Sequence, residues 1–415
     1  MTGLRRLKPL WVRIAMLLAV LGPGLITASA DNDAPGIATY SMAGSTYGYR
    51  FLWIIVAITV GEVIVMEMAG RMGAVTGRGA AGLIRERFGV RVATLAMACL
   101  LIANLGTTIA EFAGVAAGAE LFGIPRFISV PLAAVLVAVL VIRGSYRYVE
   151  KVLLALSLAA LSYIIAAFIE RPNWSEVLRG AIQPTFQGGS DYLLAVLAVV
   201  GTTITPWGIV YMQASVVDKN VGMAEYGYTR LDVVTGSAWG NIVSAFIVIC
   251  TAATLHSAGI RVETAEQAAM ALEPLAGVWA KGLFAAGLLA ASLLAASVLP
   301  LSTAYAVAEA FGWEHGLDRS FRQARIFYAL YVGLIVLSVV VVLVPGMPLF
   351  PLMWMSQSVN AILLPVILVL VLRLANDRRI MGPWVNGRVQ NGLAWLLTGL
   401  VTLATLLLFV SPFTG

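Results

Sequence analysis

Apolar positions in this chain do not alternate or repeat along one helical face. They run in long stretches separated by short polar punctuation, and eleven such stretches can be traced from Trp11 to Val410. The spans are read as Trp11 to Tyr47, Phe51 to Met72, Arg91 to Phe122, Ile128 to Ile142, Val149 to Ile169, Tyr192 to Val217, Leu231 to Leu255, Trp279 to Phe311, Ile326 to Val344, Phe350 to Leu372 and Leu393 to Val410. Each supplies about the ~20 apolar residues that cross a bilayer as a helix, the fourth only just. Gly73 to Gly89 reads as a loop with a short helix, and His256 to Ala276 as a loop with an amphipathic segment.

Two spans are interrupted. The first carries Ala30-Asp31-Asn32-Asp33-Ala34-Pro35-Gly36 in its middle, and the sixth carries Gly201-Thr202-Thr203-Ile204-Thr205-Pro206-Trp207-Gly208. Carboxylates, Pro and Gly at mid-bilayer depth are costly unless protein or trapped water surrounds them. A helix broken there exposes carbonyls from one half and N–H groups from the other, the arrangement that lines ion sites in transporters. The plainer reading of the first break is a re-entrant turn with Pro35 opening a new helix, but a turn needs no pair of acids. Five spans separate one break from the other, and an odd number inverts the second copy. The expectation is a single transmembrane domain, residues 1–415, with inverted five-helix repeats over about 11–170 and 190–373 and an extra helix over about 393–410.

Composition agrees. Of 415 residues, 60% are hydrophobic and 12% charged, a balance that excludes a soluble domain. The net charge of +6 reflects placement about a membrane, not nucleic-acid binding: with a cytoplasmic N-terminus, 21 of the 27 basic side chains fall on that side, and the C-terminus lies outside. The N-terminal apolar run is too long, and too poor in small residues at a cleavage point, for a cleaved signal. Cys99 and Cys250 each fall inside a span and read as inert core thiols.

The candidate chemistry lies at the breaks. Asp33, with Asp31 two residues earlier, offers carboxylate oxygens that suit a hard divalent ion. Thr202 and Thr205 add hydroxyl and carbonyl oxygens. Gln357 is a polar residue early in span ten, either a ligand or an interhelical hydrogen-bonder. Glu111 sits deep in span three. Glu62 and Glu67, five residues apart, point ~140° from each other; a structural role is preferred for both, with Glu67 able to pair with Arg71 one turn on. Asn241 in span seven either bonds a broken backbone or helps at the site. No His lies in a span core and no Met at either break, Met212 being ~10 Å beyond Thr205 along a helix, which leaves the crossover without soft sulfur. There is no Walker sequence, Ser-His-Asp pattern or Cys-His zinc spacing, so an enzyme reading has no support.

These features resemble the NRAMP family of divalent-metal transporters. Asp33-Ala34-Pro35-Gly36 is similar to the family's Asp-Pro-Gly-Asn break. Gly22-Pro23-Gly24, Ala43-Gly44-Ser45-Thr46-Tyr47-Gly48-Tyr49, Val75-Thr76-Gly77-Arg78, Ile109-Ala110-Glu111, Leu121-Phe122-Gly123-Ile124-Pro125, Ser356-Gln357 and Asp377-Arg378-Arg379 follow in the family's order. The resemblance implies a metal set of Asp33, the Ala30 and Thr202 carbonyls and the positions of Gly36 and Thr205, with Glu111 and Trp207 at accessory positions; the reading of the residues themselves adds Gln357 to the metal set and Asp31 and Asn241 as accessories. The departures are specific. Gly36 stands where the family has Asn, Thr205 where it has the thioether, Trp207 where it has His, and Thr108 where it has the helix-three acid preceding Glu111. This pattern resembles the divergent NRAMP-related magnesium transporters.

The expectation is therefore an all-α polytopic membrane protein with a leucine-transporter-like fold, spans one and six broken, in the cell membrane. It takes no cofactor beyond its cargo. The cargo is a hard divalent cation, Mg²⁺ with Mn²⁺ competing, moved without proton coupling by alternating access. The alternatives are a proton-coupled Mn²⁺ or Fe²⁺ transporter, a non-transporting sensor or partner subunit, and an organic-substrate carrier. The partners are the cation and the bilayer; oligomeric state is left open, a monomer included.

Overall fold

The computed structural model describes residues 32–142, 158–317 and 319–410. The first half of span one, with Ala30, Asp31 and Gly22-Pro23-Gly24, and the opening of span five lie outside the described residues. The described residues form helices α1 (Ala34–Tyr47), α2 (Leu52–Thr76), α3 (Ala80–Leu121), α4 (Arg126–Ile142), α5 (Ser162–Ile169), α6 (Trp174–Ile182), α7 (Ser190–Thr203), α8 (Pro206–Asp218), α9 (Tyr226–Thr251), α10 (Ala265–Met270), α11 (Glu273–Ala276), α12 (Ala280–Phe311), α13 (Arg325–Val342), α14 (Leu349–Ala375), α15 (Arg378–Met381) and α16 (Arg388–Val410). There is no strand among them. Among the described residues, eight stretches are long and apolar enough to cross a membrane, one of them uniting α1 with α2 and another α7 with α8, and two shorter apolar helices accompany them, Arg126–Val141 and Ala159–Ile169. Ten of the eleven expected spans thus have helices close to their expected places, and the second half of span one is α1.

Local chemistry explains the ends. Asp33 caps α1, with Pro35 in the first turn where its missing N–H costs nothing. The loop expected between spans two and three is a turn at Gly77–Gly79 followed by the first turns of α3, which bends at Gly89 (φ 83°) before entering the span. The segment between spans seven and eight holds α10, closed by a capping box of Thr264 and Gln267, and α11. α6 was not expected: Asn173 caps it, and Val177 and Gly180 form its buried side against Tyr49.

α3 is the central pillar, with α12 and α14 packed most extensively on it; α2, α8 and α9 form a second group. The added helix α16 packs on α14, α7 and α2. Its outer side, including Leu396, Leu400, Leu403 and Leu407, is exposed. Its first turn is tied to α2. Arg71 pairs with Glu67 (3.4 Å) and donates to the Trp384 carbonyl (2.7 Å), to Asn386 and to Gln390 (3.2 Å). Gln390 donates back to Glu67, and Tyr226 of α9 donates to the other Glu67 oxygen (2.9 Å). The structural reading of Glu67 holds: it ties α2, α9 and α16 together.

Candidate functional site

The first break is a short extended stretch ending at Asp33. Its backbone (φ −67°, ψ 178°) is non-helical, and its Oδ1 accepts the Gly36 N–H at 2.7 Å. One carboxylate oxygen therefore holds the new helix in place. Gly36 occupies the first turn of α1 and is buried. Glu111 of α3 faces Asp33. Neither Glu111 oxygen receives a hydrogen bond from a fixed donor among the described residues. α3 comes this close because residue 114 is Gly: a Cβ there would stand 2.3 Å from both the Ala34 Cβ and the Ser292 hydroxyl.

The second break has a cleaner origin. In a continuous helix the N–H of residue 206 would bond the carbonyl of Thr202, and Pro206 has no N–H. The last turn of α7 closes with Ile204 N–H on the Val200 carbonyl at 2.8 Å. Thr205 then turns extended (φ −87°, ψ 140°), and its hydroxyl oxygen accepts the Gly208 N–H at 3.1 Å, capping α8. Its hydroxyl proton and second lone pair are not used by that cap. The two breaks are held together by Tyr40 of α1 and Thr203 of α7, whose hydroxyls lie 2.8 Å apart. Asp33, Glu111, Thr202, Thr205 and Trp207 are each no more than 4% exposed.

The other expected residues are placed as follows. Trp207 packs its ring with Ala295 and Leu299 of α12 and with Tyr211, and its indole N–H has no partner among the described residues. Gln357 donates to Ser356 (3.0 Å) and accepts from Asn360 (2.9 Å), which also donates to Thr107 of α3 (2.8 Å). Its backbone approaches α7 closely, since a Cβ on Gly201 would stand 2.0 Å from the Gln357 carbonyl oxygen. Asn241 does not bond a broken backbone. It donates to Glu62 and to the Ser237 carbonyl (2.9 Å), because one turn of α9 faces α2 at that level.

Several polar residues at the site were not anticipated. Asn32, directly before Asp33, donates to the Gly240 carbonyl (3.3 Å) and accepts from Ser244 (3.4 Å), which joins the first break to α9. Asn104 donates to Thr303 at 2.7 Å between α3 and α12. Thr107 and Asn104 stand one and two turns before Glu111 on α3, a spacing that puts all three on one side of the helix. Met66 of α2 packs against the second break, its methyl 3.1 Å from the point where a Gly208 Cβ would stand. Met66 is remote from Thr205 in sequence, and only the packing of α2 on α8 brings them together.

Away from the breaks, a cavity of about 880 Å³ opens at the C-terminal end of α1, lined by Tyr47, Arg50, Glu176, Arg179 and His256 among others. A neighbouring one of about 500 Å³ is lined by Asp191, Tyr192, Arg261 and Glu263. Neither is lined by Asp33, Glu111, Thr202 or Thr205.

Comparison with known proteins accords with this geometry. Over nearly its whole length the chain is similar to the divalent metal cation transporter MntH of Ralstonia nicotianae (29% identity, covering 98% of this chain and 93% of the relative). It is also similar to the MntH of Granulibacter bethesdensis (26%, 95% and 89%). Among solved structures, the manganese transporter of Eremococcus coleocola superposes with a TM-score of 0.80 at 23% identity, covering 98% of this chain and 88% of that one. MhsT, solved with L-phenylalanine, superposes with a TM-score of 0.60 at 16% identity, covering 94% and 98%. The fold is the leucine-transporter-like one. Residues 24–411 match the model of the Nramp family, natural resistance-associated macrophage protein-like, and the chain belongs to that family.

Proposed function

We propose that this protein carries a hard divalent cation across the cell membrane, Mg²⁺ with Mn²⁺ competing, by alternating access around the two breaks. The observation that carries the reading is the meeting of Asp33 with Glu111 at the first break, joined through Tyr40 and Thr203 to a second break where Pro206 deprives the Thr202 carbonyl of its helical partner. Buried carboxyl groups and stripped carbonyls form a site that water cannot fully satisfy and that a dication can. Asp33, the carbonyls of Ala30 and Thr202, Thr205 and Gln357 are the proposed oxygen set, with Gly36 leaving room for water that the ion keeps. Asp31, Glu111, Asn241 and Trp207 are its accessories. Mg²⁺ dehydrates reluctantly, and a roomy oxygen-lined site accommodates it partly hydrated.

Entry is driven by the membrane potential, about 4.6 kcal/mol per 100 mV for a dication, twice the unit-charge value. The basic-residue distribution supports a cytoplasmic N-terminus and an external C-terminus. The domain reading, inverted repeats over about 11–170 and 190–373 with a helix over about 393–410, is part of this proposal.

A second reading, proton-coupled Mn²⁺ transport, is favoured by Glu111 facing Asp33 and by the naming of the relatives for manganese. Against coupling, Trp207 offers no titratable group, and Thr108 spends its hydroxyl on the Asn104 carbonyl at 2.7 Å. Liposomes separate the two. Mg²⁺ or Mn²⁺ uptake under an inside-negative potential, without acidification of the lumen, is the expected result. Metal-dependent acidification at zero applied potential overturns the uncoupled reading.

A further inference from the structure

We propose that α2 and α9 build a second divalent-cation station beside the breaks, from the Glu62 carboxylate, the Asn241 amide oxygen and, at its edge, the Met66 thioether. The proposal rests on the reading of the protein as a divalent-cation carrier. Glu62 is 0% exposed, and the Asn241 amide nitrogen donates to it and to the Ser237 carbonyl. With its nitrogen so engaged, the Asn241 Oδ1 has no hydrogen-bond partner among the described residues, although the residue is only 3% exposed. A buried amide oxygen without a donor needs something to face. Next to a carboxylate, a cation answers both groups at once.

Met66 follows Glu62 by one turn on the same face of α2. Its methyl and the Thr205 hydroxyl crowd one point, the place of a Gly208 Cβ, at 3.1 and 2.7 Å. The α2 face thus reaches the second break through Met66 and α9 through Glu62. The first break reaches the same turn of α9, because Asn32 bonds Gly240 and Ser244 on either side of Asn241. The station therefore adjoins both half-helices. A carboxylate with an amide oxygen suits Mg²⁺ and Mn²⁺, and a thioether at the edge adds preference for a softer ion such as Cd²⁺. A cation released from Asp33 meets Glu62 next.

The test uses the purified full chain, with Mn²⁺ binding followed by electron paramagnetic resonance of the free ion. Asp33→Asn should weaken the main site and leave one Mn²⁺ bound more weakly. In that background Glu62→Gln should lower the remaining affinity at least tenfold and Asn241→Ala severalfold, on monodisperse protein. Asn241→Ala keeps the test open should Glu62→Gln fail to fold. Met66→Leu in the same background should weaken Cd²⁺ severalfold and leave Mn²⁺ within twofold. No residual Mn²⁺ in Asp33→Asn, or residual binding that ignores Glu62→Gln and Asn241→Ala, overturns the station. A Cd²⁺ affinity unchanged by Met66→Leu removes the thioether from it. A wild-type chain that binds neither Mn²⁺ nor Mg²⁺ overturns the carrier reading itself, a result distinct from loss of the station alone.

Discussion

Asp33 does two separable jobs, and substitutions can part them. As the N-cap of α1 it accepts the Gly36 N–H at 2.7 Å; as a buried acid it supplies negative charge. Asn caps nearly as well as Asp, whereas Ala does not, at a cost of about 0.5–2 kcal/mol. Asp33→Asn should therefore unfold no earlier than wild type in metal-free buffer, and Asp33→Ala should lose about 1 kcal/mol. The charge effect is larger. Two unit charges 4 Å apart at an effective dielectric of 20 attract by about 4 kcal/mol, and a dication doubles that. Stripping water from the ion offsets much of it, yet about 2.8 kcal/mol of net loss already makes two decades of affinity. Both variants should thus bind Mg²⁺ and Mn²⁺ at least ~100-fold more weakly than wild type, and only Asp33→Ala should be less stable. Isothermal titration measures the first, and SDS titration of the micellar protein the second. Affinity within threefold of wild type in Asp33→Asn refutes the ligand role, and equal destabilisation of the two variants refutes the cap.

Thr205→Met with Gly36→Asn restores the family's sulfur and amide and should raise Cd²⁺ and Mn²⁺ affinity relative to Mg²⁺ by about a decade, some 1.4 kcal/mol; an unchanged ratio on folded protein sinks the ligand-swap account. Because Thr205 also caps α8, that variant should lose about 1 kcal/mol of stability, and Thr205→Ser, which keeps the hydroxyl, should not. Arg71→Met strands the Glu67 carboxylate and the carbonyl of Trp384, with the pair 8% and 10% exposed, and should cost about 3–5 kcal/mol in SDS unfolding. Glu67→Leu/Arg71→Met should recover much of that, and strictly additive single effects would show that the pair is not coupled.

The breaks were legible because their cause is local. Pro35 and Pro206 remove N–H groups, and an acid inside an apolar run announces itself at any packing. The Glu67–Arg71 pair was equally legible, since one helical turn sets it. What escaped is set by rotation of one helix against another. Nothing in the spacing of Met66 places it beside Gly208, and nothing near Asn241 names Glu62 as its partner. The packing of Trp207 on α12 likewise depends on helix rotation. α6 escaped for another reason: Asn173 followed three residues later by Glu176 was a helix-start signal inside a stretch read as a connection.

The close approach at Gly201 settles how the sixth span can move. With 2.0 Å between a notional Cβ and the Gln357 carbonyl oxygen, α7 has no clearance to slide or roll against α14. α8 is equally committed elsewhere, since a Cβ on Gly73 of α2 would stand 2.8 Å from the Gln213 carbonyl oxygen. The two halves of one span are thus riveted to different neighbours. Any relative displacement of α14 and α2 must then be absorbed at Ile204 and Thr205, the residues that separate α7 from α8. If the ion sits where proposed, its seat is also the flexing point of the span, and a cation that grips it would stiffen the joint.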